Sequence, residues 1–100
     1  VKIVAVTACP TGIAHTYMAA DALIKAAPKY QVQIKVETQG AMGIENQLTP
    51  QDITQADRVL IVSDIEIDQA ARFEGCNAIR VSIEDVLVNV DKVFLLHCRS

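Results

Sequence analysis

Val1-Lys2-Ile3-Val4-Ala5-Val6-Thr7 is an apolar run rich in β-branched residues, and Ala8-Cys9-Pro10-Thr11-Gly12 breaks it. Such a run suits a buried strand. Pro10 and Gly12 mark a turn, because one fixes the backbone and the other frees it. A helical pattern follows from Ile13 to Ala27. Ile13, Tyr17, Ala20 and Ile24 recur at steps of three and four, with Ala14, Met18 and Ala22 beside them, and this face is expected to point inward. Pro28 is expected to end the helix. A strand that feeds a helix through a short turn is the opening unit of an α/β sheet.

The rest of the chain repeats that unit. Gln31 to Glu37 alternates: Val32, Ile34 and Val36 face one way, and Gln31, Gln33, Lys35 and Glu37 the other. This predicts a second strand with one wetter face. Thr38 to Leu48, with Gly40 and Gly43, reads as a loop. Thr49-Pro50-Gln51-Asp52 reads as a helix start, with Thr49 as N-cap, Pro50 first in the helix and Asp52 favouring its dipole. That helix ends before Arg58. Val59 to Ser63 is a third strand, Asp64 to Phe73 holds a short helix, and Asn77 to Val81 is a fourth strand. Ser82-Ile83-Glu84-Asp85 opens a final helix from about Ile83 to Leu96. The predicted fold is α/β: an open four-stranded parallel sheet with helices on both faces, a Rossmann-like three-layer sandwich. Residues 1–100 are expected to form one domain, with no internal repeat or linker.

Composition narrows the function. The chain has 100 residues, 51% of them hydrophobic, with 4% aromatic and no Trp. Its core is therefore built from Val, Ile, Leu and Ala. The net charge is -3, and the nine Lys and Arg are scattered. No basic stripe suggests nucleic acid. No apolar run reaches the roughly 20 residues of a membrane span. The N-terminus reads as strand, without a secretory n-region. A cytoplasmic domain is expected, either alone or excised from a longer protein. Cys9, Cys76 and Cys98 are odd in number and show no C-x-x-C spacing, which disfavours disulfides and a redox pair. No Cys/His cluster suggests zinc.

In parallel α/β sheets, ligands bind at the carboxyl ends of the strands. The loops there are Ala8–Gly12, Thr38–Leu48 and Asp64–Asp68, and the first holds the chemistry. Cys9 stands where strand one ends and a helix begins. The first N–H groups of a helix lack internal partners and point at an anion placed there. The same groups stabilise a thiolate, and then the oxygens of a phosphoryl group carried by it. Pro10, Thr11, Gly12, Ile13, Ala14, His15 and Thr16 are the candidate phosphate-binding residues. Gly12 allows close approach, Ala14 leaves room, and the hydroxyls of Thr11 and Thr16 add donors. Read plainly, a lone Cys at a strand end is a small buried hydrophobe, Gly12 a turn glycine and His15 a surface or capping residue. The Pro-Thr-Gly context distinguishes Cys9 from Cys76 and Cys98, which read as incidental. The chain lacks G-x-x-x-x-G-K-[ST] and G-x-G-x-x-G. It has a cysteine-phosphatase-like spacing, but His15 stands where that template needs the arginine that clamps phosphate.

The run Lys2 to Ala20, with Cys9-Pro10-Thr11-Gly12-Ile13-Ala14-His15-Thr16 at its centre, closely resembles the active-site signature of the fructose-type enzyme IIB component of the bacterial sugar phosphotransferase system. Val36-Glu37-Thr38-Gln39-Gly40 with Gly43, Ala56-Asp57, Asp64-Ile65 and Arg72-Phe73 extend the likeness to about residue 81. The resemblance implies a four-stranded parallel sheet. It implies that Cys9 takes phosphate from a phosphohistidine of the IIA component and gives it to a sugar bound by the membrane IIC component. It implies no cofactor, metal or nucleic acid. Fusion to IIA or IIC domains, and work at the inner membrane face, are further implications. The sugar stays open: fructose, mannose or a related compound. Two other readings stay open beside it: a cysteine phosphatase or arsenate reductase-like enzyme, and a regulatory phospho-acceptor.

Overall fold

The computed structural model describes residues 2–8, 13–40, 43–63, 67, 70–73 and 78–95, without the side chains of Ile13, Ala14 and Ala70. Among these residues five strands form one sheet: β1 Lys2–Ala8, β2 Gln33–Gly40, β3 Gly43–Glu45, β4 Arg58–Ser63 and β5 Ala78–Val81, in the order β3-β2-β1-β4-β5. β1 lies in the middle and pairs in parallel with β2 and β4, and β4 pairs in parallel with β5. β1 is buried from Ile3 onward, which accounts for its unbroken apolar sequence.

The expected four parallel strands are present, and a fifth is added. β3 pairs antiparallel with β2 through Thr38↔Glu45, Gln39↔Ile44 and Gly40↔Gly43, inside the segment expected to be loop. Gly43 has φ +86°, a left-handed conformation that favours glycine, and it starts the return strand. β3 is only three residues long, too short to show an alternating pattern.

Among the described residues, three α-helices flank the sheet: α1 Ile13–Ala26, α2 Pro50–Gln55 and α3 Ile83–Val93. α1 and α3 cover one face, where Ile3, Ala5, Val36, Leu60, Val62 and Val81 meet Leu23, Val86 and Phe94. The opposite face carries Val4, Val6, Ala8 and Val59 and packs on Leu48, Ile53 and Phe73.

The inward face of α1 differs from the one expected. The buried stripe is Thr16, Ala19, Ala20, Leu23 and Ala26, whereas Met18 and Ile24 are 55% and 50% exposed. Small alanines let the helix lie close to the sheet, so the larger apolar residues are pushed to its flank. Pro28 does not stop the chain abruptly: a 3-10 turn, Ala27–Tyr30, continues from α1 and closes with Gln31 at φ 57°. The helix expected within 64–73 is described as a 3-10 turn, Ala70–Phe73.

The two predicted caps are present. Thr49 Oγ1 accepts from the Asp52 N–H at 3.1 Å, and Asp52 Oδ2 accepts from the Thr49 N–H at 3.0 Å, a reciprocal capping box. Ser82 Oγ accepts from the Asp85 N–H at 3.1 Å. α3 is interrupted at Asn89 (φ -153°, ψ 78°), whose Oδ1 accepts from the Lys92 N–H and restarts the helix. Beyond it Phe94 is buried and stacks on Tyr30 with ring centroids 5.3 Å apart. Thr49→Ala is expected to cost about 1 kcal/mol. That corresponds to a fall in Tm of about 4–8 °C for a domain of this size. Thermal melts followed by circular dichroism would show it, and an unchanged Tm would deny the cap its role.

Candidate active site

The central strand β1 ends at Ala8 and α1 begins at Ile13. Cys9, Pro10, Thr11 and Gly12 lie outside the described residues, as do Cys76 and Cys98. The structure shows the frame around that connection. α1 has 14 residues, so its first-turn N–H groups and the positive end of its dipole stand at the carboxyl edge of the sheet. In this first turn His15 is exposed, while Thr16 is fully buried. Thr7, the penultimate residue of β1, is also fully buried. The hydroxyls of Thr7 and Thr16 have no hydrogen-bond partner among the described residues. Thr38 is buried too and pairs in register with Thr7. Three buried threonines therefore surround the end of β1 on the α1 side.

The other face holds a feature that alternation along β2 misplaced. Glu37 was expected on the wetter face, yet it is fully buried. Its Oε1 accepts from Arg72 Nη1 at 2.7 Å and from the Leu48 N–H at 2.8 Å. Its Oε2 accepts from Arg72 Nη2 at 2.9 Å and from Gln39 Nε2 at 2.8 Å. Arg72 also donates to the Leu48 carbonyl oxygen at 2.9 Å and lies over the Phe73 ring. Burial pushes the Glu37 carboxyl pKa up. The hydrogen bonds from Arg72, the Leu48 N–H and Gln39, with the charge of Arg72, outweigh it and hold the pKa below its ordinary value. Glu37 in turn raises the pKa of Arg72, against the effect of burial. Glu37 shares its side of the alternation with Gln33 and Lys35, so nothing local in β2 marks it for burial. The packing of α2 and the Ala70–Phe73 turn decides that the face is covered.

A second clasp joins α1 to the β2–β3 hairpin. Tyr17 Oη donates to Glu45 Oε1 at 2.7 Å. This bond, then burial and the nearby carboxylate charge, raises the Tyr17 pKa. A Cβ added to Gly40 would lie 3.1 Å from Tyr17 Oη, so a glycine lets the ring sit close. By contrast, the Lys35–Asp52 pair lies nearer the opposite end of β2. There Lys35, with the backbone and side chain of Thr49, holds Asp52 well below the usual carboxylate range. Among the described residues, no group of three or more His, Cys, Asp or Glu is placed to hold a metal ion. No helix there is long and apolar enough to cross a membrane.

A central parallel strand joined to a flanking helix by a short connection at the carboxyl edge of the sheet defines an α/β module, and comparison with known proteins identifies its family. The family model described as "PTS system, Lactose/Cellobiose specific IIB subunit" matches residues 4–95, and the chain belongs to this family of phosphotransferase-system IIB components. It is 50% identical over 92 residues to the PTS system fructose-like EIIB component 2 of Escherichia coli, covering 92% of this chain and 87% of that protein. It is 49% identical over 82 residues to the PTS system fructose-specific EIIABC component of Bacillus subtilis, covering 82% of this chain but 13% of that protein. The crystal structure of a predicted fructose-specific IIB from Escherichia coli superposes with a TM-score of 0.89 at 43% identity, covering 97% of this chain and 86% of that one. The resemblance to fructose-type IIB components, drawn from the Cys9 signature, is thus sustained, and with it a role in the sugar phosphotransferase system.

Proposed function

We propose that Cys9 is the phosphoryl carrier of this domain and passes its phosphate to a fructose-type sugar. The thiolate attacks phosphorus on a phosphohistidine of the IIA component; the S–P bond forms as the P–N bond breaks. In the second step a sugar hydroxyl attacks the same phosphorus. The O–P bond forms, the S–P bond breaks, the hydroxyl proton is released and the thiolate returns. The backbone N–H groups from Thr11 to Thr16 and the hydroxyls of Thr11 and Thr16 are the proposed donors to the phosphoryl oxygens. Pro10, Gly12 and Ala14 shape the approach. His15, in place of a bidentate arginine, is proposed to hold the group loosely enough for it to leave.

The observation that carries this reading is the frame itself. Cys9 directly follows the end of the central strand, and four residues later a 14-residue helix begins. Beside that junction two fully buried hydroxyls, on Thr7 and Thr16, lack a partner among the described residues. Buried polar groups are ordinarily satisfied, and a ligand oxygen is one way to satisfy them. The IIA and IIC partners are proposed because the Bacillus subtilis relative is named as an EIIABC component, A, B and C together. The proposed place of work is the inner face of the membrane, beside IIC.

Incubation with a phosphorylated IIA component should raise the intact mass of the chain by one phosphoryl group. Label should move on to sugar only when membranes containing IIC are added. Label that stays on the chain under those conditions would support the phospho-acceptor reading instead.

A further inference from the structure

Glu37, Arg72 and Gln39 link three parts of the carboxyl edge: the end of β2, the segment before α2 and the Ala70–Phe73 turn. Gln39 is in register with Ala8, the residue before Cys9, and Glu37 is in register with Val6. A strand advances about 3.3 Å per residue, and neighbouring strands lie about 4.8 Å apart. The Cα atoms of Glu37 and Ala8 therefore lie about 8 Å apart, and Cys9 is the next residue of the chain. Glu37 is fully buried, and the Arg72 side chain is 12% exposed, so water screens neither charge well.

We propose that Glu37 and Arg72 form a charge-balanced pair that sets the electrostatic potential at Cys9 and, through Gln39, positions the strand edge beside it. Both are positioning residues and neither touches phosphorus. The inference rests on the reading of Cys9 as the phosphoryl carrier. A carrier must stabilise a thiolate and a phosphoryl dianion in turn, yet release the phosphate. An unbalanced arginine at this range would favour the anions too strongly, and an unbalanced carboxylate would oppose both. Within the pair the two charges nearly cancel at a distance, while the hydrogen bonds still fix the geometry. Other titratable or charged groups described around this edge are His15 and Glu45 on the α1 side, Glu84 and Asp85 at the start of α3, and the Lys35–Asp52 pair farther down the same face as Glu37. Asp64, Glu66, Asp68 and Glu74 lie outside the described residues. All these groups are common to the variants compared below, so differences between variants report the pair.

The test uses Cys76→Ala and Cys98→Ala together, leaving Cys9 as the one thiol, and follows iodoacetamide alkylation against pH. At an effective dielectric of about 20, one uncompensated charge at about 12 Å moves a pKa by about one unit. Glu37→Gln should lower the alkylation midpoint by about half a unit to one unit. Arg72→Gln should raise it by a similar amount, and the double variant should return near the parent. Arg72→Lys keeps the charge and should leave the midpoint near the parent while losing the bidentate fork. Loss of packing alone has no reason to move the two single variants in opposite directions. Shifts of the same sign, or none, would overturn the inference. Should Glu37→Gln fail to fold by circular dichroism, the comparison of Arg72→Gln with Arg72→Lys decides, and equal midpoints overturn the proposal. Alkylation needs no phosphoryl donor. Failure of Cys9 to accept phosphate would therefore sink the carrier reading, whereas unmoved midpoints would sink this inference alone.

Discussion

Cys9→Ala is expected to abolish phosphoryl uptake from a phosphorylated IIA component, while Cys76→Ala and Cys98→Ala each retain it. Of the three thiols, Cys9 is the one that follows directly on the central strand and precedes a long helix. On the proposed mechanism, the first N–H groups of α1 would stabilise a thiolate there, and its ionisation should fall below the ordinary thiol value of about 8.5. Alanine removes the nucleophile and leaves the size of the site almost unchanged, so the fold should persist and the label should drop to background. Phosphoprotein gels and intact-mass spectra would both read this. Continued labelling of Cys9→Ala would defeat the mechanism. Loss of label in Cys76→Ala, with the fold intact, would move the site elsewhere.

The second large effect is on stability. Glu37→Ala should strip the Arg72 guanidinium, the Leu48 N–H and the Gln39 amide of a shared acceptor at a fully buried position. Removing one partner of a buried ion pair leaves an uncompensated charge and costs about 3–5 kcal/mol. Domains of this size are stabilised by only about 5–15 kcal/mol, so a Tm at least about 12 °C lower is expected. The effect should depend on pH. The folded pKa of Glu37 lies below its unfolded value, near 4.5. Its contribution is therefore complete above that value and is lost as pH falls through the folded pKa. Asp52 contributes with the same sign, so the informative quantity is the difference between wild type and Glu37→Gln. Urea unfolding should show a wide gap between them at pH 7 and a narrower one at pH 3. An equal gap at both would mean that the charge on Glu37 does not stabilise the fold.

Much of this molecule was legible in its residues, because some signals are local. β1 is buried on both faces, so its sequence is almost continuously apolar and its burial is visible without the structure, whereas its central place in the sheet comes from the strand order. The capped starts at Thr49 and Ser82 are legible because a cap is a contact between residues three apart. The cysteine at a strand-to-helix break is likewise a property of contiguous chain, as is the family resemblance carried by residues 2 to 20, and the family match sustains that resemblance.

What tertiary structure alone decided concerns faces and partners distant in sequence. Alternation along β2 assigns Glu37 to water, but α2 and the Ala70–Phe73 turn cover that face, and Arg72, 35 residues away, makes burial of the carboxylate tolerable. The apolar residues of α1 allow more than one inward face. The sheet selects the one lined with alanines, because small side chains permit the closest approach. The three residues of β3 form a strand because β2 offers them a hydrogen-bonding edge, and Tyr17 ties Glu45 to α1. Periodicity records what each residue prefers, whereas burial is set by what the rest of the chain places against it.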